Sequence, residues 1–396
     1  MKLINNSKLV MLPGYPFYPA EMNDIISKAG LVHPMDQQLL LAASESIANL
    51  RKLLGVKKPY QPFIFNSTSM FMLEMAFSNL LEESDVVLVL GNRSTSNRIR
   101  SLLGRHCGAI DQLDYAEDGK LNLELLAGKL EEKPYKLVIA PHADHQGIIN
   151  DVELIGKAVK DKGAFFAVDC TSTIGAHEID QDGVRADLVV FSSNWGLAGP
   201  SGLSFASVSE SFMEENKRLA DKKTKKIAEC FDLQYWRPLM AAYENIEKAQ
   251  INEQLPAPLV IGTNYSLKKI LADLSTYRKN HESFKANLCD ILMACNLEIT
   301  NFNNSNSFIN TFTTFRIPEK IKPDDFFKAL TKQKLVLGKE DSEVNEVKIG
   351  HVGFLDQELL LPFAIRLEKA LKQVDHEFTE SEGIMIAIDK ITKNAK

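Results

Sequence analysis

The sequence predicts an α/β protein with a large domain built on a mostly parallel sheet, followed by a smaller C-terminal α+β domain. Two observations predict this class. Short apolar runs alternate with helical stretches between residues 63 and 206, which is typical of strands joined by crossover helices. The runs also lack polar alternation, as expected of strands covered on both faces. We predict an N-terminal arm over 1–20, a large domain over 21–260 and a small domain over 261–396.

Each predicted element follows from its residues. The strands of the large domain are short runs rich in Val, Ile, Leu or Phe, at 63–66, 86–90, 137–140, 165–169, 188–191 and 203–206. Helices fill gaps between them at 68–81, 97–103 and 151–162, and the charged stretch 209–254 is helical until prolines interrupt it. Beyond it we predict a helix at 266–278, a helix ending at Cys295, a strand at 311–317, a helix at 324–333, a strand at 346–350 and a helix at 356–373.

Composition and charge exclude several classes of protein. The 396 residues are 45% hydrophobic and 25% charged, which is ordinary for a folded chain in water. The formal net charge of -6 lacks the basic excess that nucleic-acid binding needs. No apolar run approaches the roughly 18 residues of a membrane span, and no secretory signal is readable. The five cysteines are scattered without metal-ligand spacing, so we expect reduced thiols and a cytoplasmic location.

The loops after the predicted strands are the places to look for chemistry, because open parallel sheets bind ligands where their strands end. Ser67, Thr68 and Ser69 follow the first strand and open a helix. Hydroxyl side chains in this position cap backbone N–H groups, and those N–H groups together with the helix dipole attract an anion such as phosphate. Taken alone, these three residues are explained by capping.

Asp169 ends an otherwise apolar strand. A carboxylate in such a place is costly to bury unless a positive group pairs with it. Either a structural ion pair or a protonated ring nitrogen of a ligand would supply that group, and the sequence alone leaves both open.

His142 and His145 follow the third predicted strand. Imidazole is a good metal ligand, but no third and fourth ligand occurs at a readable spacing, so we predict no metal site. A glycine-rich segment over 192–203 lacks the Gly-Lys-Ser/Thr ending of a phosphate-binding P-loop. By itself this segment indicates only a turn.

Together these segments resemble the class V aminotransferases, a branch of the fold type I enzymes that use pyridoxal phosphate and that includes alanine–glyoxylate, serine–pyruvate and phosphoserine aminotransferases. The resemblance spans nearly the whole chain, from Pro13-Gly14 through the helix after Asn66 and the stretch ending at Asp169 to the closing segment from Ile349. It implies a fold type I large domain in which Asp169 pairs with the pyridine nitrogen. It further implies that the cofactor is bound, mainly at its phosphate, by Ser67, Thr68, Ser69, Thr171, Ser192 and Ser193.

The family resemblance also carries expectations about reaction and partners. It implies transfer of amino groups between small amino acids and 2-oxo acids, in a homodimer. Neither nucleic acid nor membrane is expected as a partner.

One segment departs from the family at its central residue. Family members read Ser-Gln-Lys-Gly-Leu-Gly-Gly-Pro-Ser-Gly-Leu where this chain has 193–203, which places Trp195 at the position of the lysine that bonds to the cofactor. This loop contains no lysine. The departure implies loss of the covalent attachment and of the general acid/base that transamination uses.

Two further positions change with it. The family's ring-stacking residue falls near Thr95, and its carboxylate-binding arginine falls at Lys348, which keeps the charge and loses the bidentate fork. We predict that the chain is not a standard transaminase, and whether it is an enzyme stays open. It is either a pseudoenzyme in which Trp195 fills the old cofactor cavity, or a protein that binds pyridoxal phosphate or its amine form and uses His142, His145 or Lys348 as a base. An aminotransferase with a lysine from elsewhere in the chain is the third alternative.

Overall fold

The computed structural model describes residues 8–33, 36–57, 59–91, 93–115, 121–222, 227–244, 255–301, 308–339 and 345–394, and for 93–96 and 394 it describes the backbone alone. These residues form two compact units. The larger is Pro19–Ala272, and the smaller is Met1–Tyr18 together with Asp273–Lys396.

The boundary between the units differs from the sequence prediction at both ends. Residues 261–272 lie in the larger unit, because the helix that contains them packs on two other helices of that unit. Residues 8–18, expected in a separate arm, belong to the smaller unit, where the strand β1 (Leu9–Met11) joins a sheet. Backbone pairing and helix packing of this kind connect residues that are far apart in sequence, so the sequence pattern does not reveal them.

The larger unit alternates strands and helices. Its helices are α1 (Met22–Ala29), α2 (Gln37–Leu53), α3 (Ser69–Leu80), α4 (Arg93–Leu103), α5 (Leu123–Glu132), α6 (Val152–Asp161), α7 (Gln181–Val184), α8 (Glu210–Lys222), α9 (Leu233–Glu244) and α10 (Ala257–Ala272). Its strands are β2 (Tyr60–Asn66), β3 (Val86–Leu90), β4 (Ala109–Leu113), β5 (Leu137–Pro141), β6 (Phe165–Asp169), β7 (Leu188–Ser192) and β8 (Leu203–Ser209).

These strands form one seven-stranded sheet in the order β2-β8-β7-β6-β5-β3-β4. β8 is antiparallel to both of its neighbours, and the other neighbouring pairs are parallel. The prediction of a mostly parallel sheet is therefore confirmed. Since β2 to β7 all run in one direction, their carboxyl ends lie on the same edge of the sheet, and β8 starts at that edge.

The smaller unit is α+β, as predicted. Its sheet has the order β1-β11-β12-β10-β9, in which β1 pairs parallel with β11 and the other pairs are antiparallel. Its remaining elements are α11 (Leu274–Ala294), β9 (Glu298–Ile299), β10 (Phe312–Arg316), α12 (Pro323–Lys332), β11 (Leu335–Lys339), β12 (Glu346–Gly350), α13 (Leu360–Gln373) and α14 (Glu382–Asn394). Phe284, Phe315, Phe326 and Phe363 are fully buried in its core.

Two differences from the predicted elements have local causes. β4 was not predicted, because it is an edge strand and carries Asp111 and Gln112 among its apolar residues. The helix predicted at 266–278 is in fact two helices, α10 and α11. They separate at Asp273, whose carboxylate caps α11 by accepting the N–H of Thr276 at 3.0 Å. In the part of the chain that the structure describes, no helix is long and apolar enough to cross a membrane.

Candidate cofactor site

Most of the predicted site residues meet at the carboxyl edge of the seven-stranded sheet. Ser67 follows β2, His142 follows β5, Asp169 ends β6, and Ser192 ends β7. Because β5, β6 and β7 are neighbours in the sheet, their ends lie side by side there. Lys348 lies on β12 in the smaller unit, where its ammonium group is 5.0 Å from the centroid of the Phe312 ring.

Three serine hydroxyls cluster where β2, β8 and β7 meet this edge. Ser67 Oγ is hydrogen-bonded to Ser204 Oγ. Ser192 lies directly opposite Ser204 in the ladder between β7 and β8, so both side chains point to the same face of the sheet. Sequence reasoning missed Ser204, since a serine at the second position of a strand gives no signal until the register is known.

The same cluster adjoins the N-terminus of α3. Thr68 is its N-cap and accepts the N–H of Phe71 at 3.4 Å, so the expected capping role is present. The first N–H groups of a helix have no acceptor within the helix, and the helix dipole adds a partial positive charge to them. Hydroxyl groups next to such N–H groups are suited to hold a phosphate.

Asp169 accepts two hydrogen bonds, both from Thr171 and both on Oδ1. The backbone N–H donates at 2.9 Å and the hydroxyl donates at 2.5 Å. Thr171 thus orients the carboxylate. Burial raises the pKa of Asp169, and the hydrogen bonds from Thr171 oppose that shift.

The other oxygen of Asp169, Oδ2, has no hydrogen-bond partner among the described residues, and none of those residues forms an ion pair with the carboxylate. The sequence left two alternatives open for Asp169, a structural ion pair or a ligand. Among the described residues there is no structural ion pair. A desolvated carboxylate with one open oxygen fits a protonated ring nitrogen of a bound ligand.

The loop between β7 and β8 places Trp195 in a costly backbone conformation. Trp195 has φ +60° and Ala198 has φ +47°, so two residues with side chains lie in the left-handed region that favours glycine. Such a conformation costs about 1–2 kcal/mol per residue. Strain of this kind persists only where the surrounding structure fixes the backbone, and it is concentrated at functional positions. Trp195 itself is half-buried.

Close backbone contacts hold this loop in place. A Cβ on Gly196 would lie 1.9 Å from the carbonyl oxygen of Ile174, so no other residue fits there. The Ser193 hydroxyl donates to the carbonyl of Pro200 and accepts the N–H of Leu203. Ser193 is fully buried, and its hydroxyl is engaged inside the loop rather than directed at a phosphate.

His142 and His145 lie on the hairpin that follows β5. His142 is buried, and burial lowers its pKa to about 4, so the imidazole is neutral at physiological pH. His145 is half-buried and adjoins Asp144, a buried carboxylate. Burial raises the pKa of Asp144, and the N–H of Ile148 and the neighbouring His145 oppose that shift in part. Among the described residues no group of three or more His, Cys, Asp and Glu side chains comes together to hold a metal ion. The side chain of Thr95 lies outside the described residues.

Among the described residues, Lys285 is the one lysine whose side chain is buried. It lies on α11 in the smaller unit. Its ammonium group donates to the carbonyls of Asn301 at 3.0 Å and Ile309 at 2.7 Å. Burial lowers its pKa from 10.5 to about 8. The amine is thus committed to holding two backbone segments together.

This buried lysine predicts a pH-dependent stability. A folded-state pKa below the unfolded value means that folded Lys285 releases its proton first, so stability rises as pH increases from about 8 to 10.5. Between these two pH values the free energy of unfolding of the native chain should increase by up to about 3 kcal/mol relative to that of Lys285→Met. Urea unfolding followed by circular dichroism at both ends of the range measures the difference. Lys279→Met, on an exposed position of the same helix, should leave the pH dependence unchanged, and equal slopes for the native chain and Lys285→Met would contradict the prediction.

Comparison with known proteins settles the family. A model of the aminotransferase class V family matches residues 16–338. The chain belongs to the class V aminotransferase family. An uncharacterized aminotransferase of Methanocaldococcus jannaschii is 25% identical to this family member over 402 residues, which cover 99% of this chain and 100% of the relative.

Solved structures agree with the assignment at the level of the fold. A ureidoglycine–glyoxylate aminotransferase from Bacillus subtilis superposes on this class V family member with a TM-score of 0.84 and 20% identity, covering 99% of this chain and 100% of that one. A pyridoxamine–pyruvate aminotransferase from Mesorhizobium loti superposes with a TM-score of 0.82 and 19% identity, covering 98% of each chain. The predicted fold of the pyridoxal phosphate enzymes of fold type I is confirmed.

Proposed function

We propose that this class V family member binds pyridoxal phosphate or pyridoxamine phosphate without a covalent bond to the chain, and that it is not a transaminase of the standard kind. The observation that carries the proposal is Asp169, whose Oδ2 is open and unpaired among the described residues, at the same sheet edge as a loop that has Trp195 in place of the lysine. The chain has kept the groups for holding the cofactor and has lost the group that bonds to it.

The residues present fit such a ligand at two points. Asp169 holds a proton on the ring nitrogen, because a carboxylate beside that atom favours its charged form. The N-terminus of α3, with Ser67, Ser192 and Ser204, binds the phosphate. Pyridoxal phosphate, when bound, supplies a protonated ring that withdraws electrons from the substrate carbon atoms.

The missing lysine leaves the movement of protons to another group. His142 is too weak a base for this at neutral pH, since its pKa of about 4 is far from the value near 7 that suits general base catalysis. His145, beside the buried Asp144, stays as a candidate. Lys348 belongs to the smaller unit, and its role stays a prediction from the family resemblance. The substrate that the family implies is a small amino acid or a 2-oxo acid, and the homodimer and the cytoplasmic location stay predictions.

A fluorescence titration tests the proposal, because the chain has only two tryptophans, Trp195 and Trp236. In Trp236→Phe the remaining indole is Trp195, and in Trp195→Phe it is Trp236, which contacts the Phe65 ring edge-on at 4.9 Å. Pyridoxal phosphate and pyridoxamine phosphate should each quench Trp195 saturably, and more strongly than Trp236.

Equilibrium dialysis of the native chain serves as the binding measurement that does not depend on tryptophan. If neither ligand binds in either experiment, the proposal is wrong and the pseudoenzyme alternative replaces it. In that alternative the indole of Trp195, which is half-buried, fills the former ligand cavity and leaves little room for a ligand.

A further inference from the structure

One face of α10 runs along the glycine-rich loop between β7 and β8, and both belong to the larger unit. Four residues of the helix, spaced at i, i+3, i+4 and i+7, share this face. They contact the loop in reverse order: Leu259 lies against Gly202, Gly262 against Pro200, Thr263 against Gly199 and Ser266 against Ala198. We call this set of contacts the α10 seam. Because the contacts are consecutive on both sides, the position of α10 determines where the loop lies.

Most of the α10 seam consists of close packing at glycine. A Cβ on Gly199 would lie 2.6 Å from the hydroxyl oxygen of Thr263, and a Cβ on Gly262 would lie 2.8 Å from Cγ of Pro200. Glycine therefore lets the helix and the loop approach each other more closely than other residues would. Packing of this kind limits the place of the loop, but it does not orient the peptide groups of the loop.

Ser266 adds a directional contact to the seam. Its hydroxyl donates to the carbonyl of Ala198 at 2.7 Å, and both residues are fully buried. The N–H of Ala198 donates in turn to the carbonyl of Trp195 at 2.9 Å, which closes the turn that begins at Trp195. Ala198 is therefore held at its N–H and at its carbonyl, and these two hydrogen bonds fix its left-handed conformation.

We infer that Ser266 is the positioning residue for Trp195, because it holds, through Ala198, the turn that begins at that tryptophan. A left-handed backbone is unfavourable at alanine and at tryptophan, so the turn persists only if other interactions compensate for it. The Ser266 hydroxyl supplies such an interaction from a helix that lies far from the loop in sequence. The effect of Ser266 on ligand binding rests on the proposed function, whereas its effect on the turn does not.

Acrylamide quenching of Trp195 in the free protein tests the inference, in the Trp236→Phe background where Trp195 is the one tryptophan. Ser266→Ala leaves the buried carbonyl of Ala198 without its donor, so the quenching constant should rise about twofold as the half-buried indole becomes exposed. The dissociation constant for pyridoxal phosphate should rise about tenfold, as for one lost hydrogen bond. Ser266→Thr keeps the hydroxyl and should restore both values. Ser266→Cys keeps the size of the side chain with a weaker donor, so it should give intermediate values, and it decides the question if Ser266→Ala does not fold.

Ser46→Ala is the matched control. Ser46 is buried in α2, and its hydroxyl also donates to a backbone carbonyl at 2.7 Å, that of Ala42. This variant should leave the quenching of Trp195 and the affinity for pyridoxal phosphate unchanged. Equal changes in Ser46→Ala and Ser266→Ala, or a folded Ser266→Ala chain with native quenching of Trp195, would overturn the inference alone. If the native chain binds no ligand, the proposed function is wrong, and the quenching measurements still decide the role of Ser266.

Discussion

Replacement of Trp195 by lysine is expected to make cofactor attachment covalent. The Trp195→Lys chain, incubated with pyridoxal phosphate and reduced with borohydride, should gain the mass of the cofactor and keep it through denaturation, whereas the native chain should lose it completely. The physical reason is that the loop is already fixed: Gly196 packs against the carbonyl of Ile174, and the Ser266 hydroxyl donates to the carbonyl of Ala198 at 2.7 Å. A lysine there adopts the same left-handed backbone at no greater cost than tryptophan.

A lysine elsewhere in the same loop provides the control. Ser201 is exposed, so Ser201→Lys adds the same amine at a position that the family does not use. This variant should release the cofactor on denaturation as the native chain does. Equal labelling of Trp195→Lys and Ser201→Lys would show that position 195 does not face the bound ligand, and the alignment of the loop with the family would then be wrong.

Replacement of Asp169 by asparagine is expected to have opposite effects on binding and on stability. Binding of pyridoxal phosphate should weaken more than a hundredfold, because removing one partner of a buried charged pair costs about 3–5 kcal/mol. The free protein should become more stable at neutral pH. Asparagine still accepts both hydrogen bonds from Thr171 on its oxygen, and it removes a carboxylate that is disfavoured by burial.

The pH dependence of that stability has a defined sign. The folded-state pKa of Asp169 is raised, so the native chain loses stability as pH rises from the unfolded value of 3.8 through the folded value. The melting temperature of Asp169→Asn relative to the native chain should therefore increase from pH 4 to pH 7. Asp161→Asn makes the same charge change at an exposed site and should alter neither binding nor this pH trend. A free Asp169→Asn protein that is less stable at neutral pH would mean that Asp169 has a partner that stabilises its charge.

The two variants together distinguish the functional alternatives. A native chain that binds cofactor, with Trp195→Lys attaching it and Asp169→Asn losing it, is a binding protein that lacks only the catalytic amine. A native chain that does not bind, while Trp195→Lys does, has its cavity closed by the indole. Both results concern the larger unit alone.

Much of the fold followed from the sequence because the strands of a parallel sheet are buried on both faces. The apolar runs predicted at 86–90 and 165–169 match β3 and β6 residue for residue. Elements with mixed composition did not follow: β4 lies at an edge where Asp111 is tolerated, and the break between α10 and α11 depends on a single cap at Asp273. Local composition predicts elements that are buried. It does not predict an element that is half-exposed, or a helix boundary that depends on one hydrogen bond.

The features of the candidate site also divide into those that the sequence predicts and those that it does not. Asp169, the hydroxyl-rich start of α3 and the absence of a lysine at 193–203 are properties of the sequence alone, because each depends on which residue follows which strand. The row of Ser67, Ser204 and Ser192 and the hydrogen bond between His142 and Thr173 were decided only by the tertiary structure. Their atoms come from segments far apart in the chain, and a hydrogen bond between them exists only once strand order and register have brought those segments together.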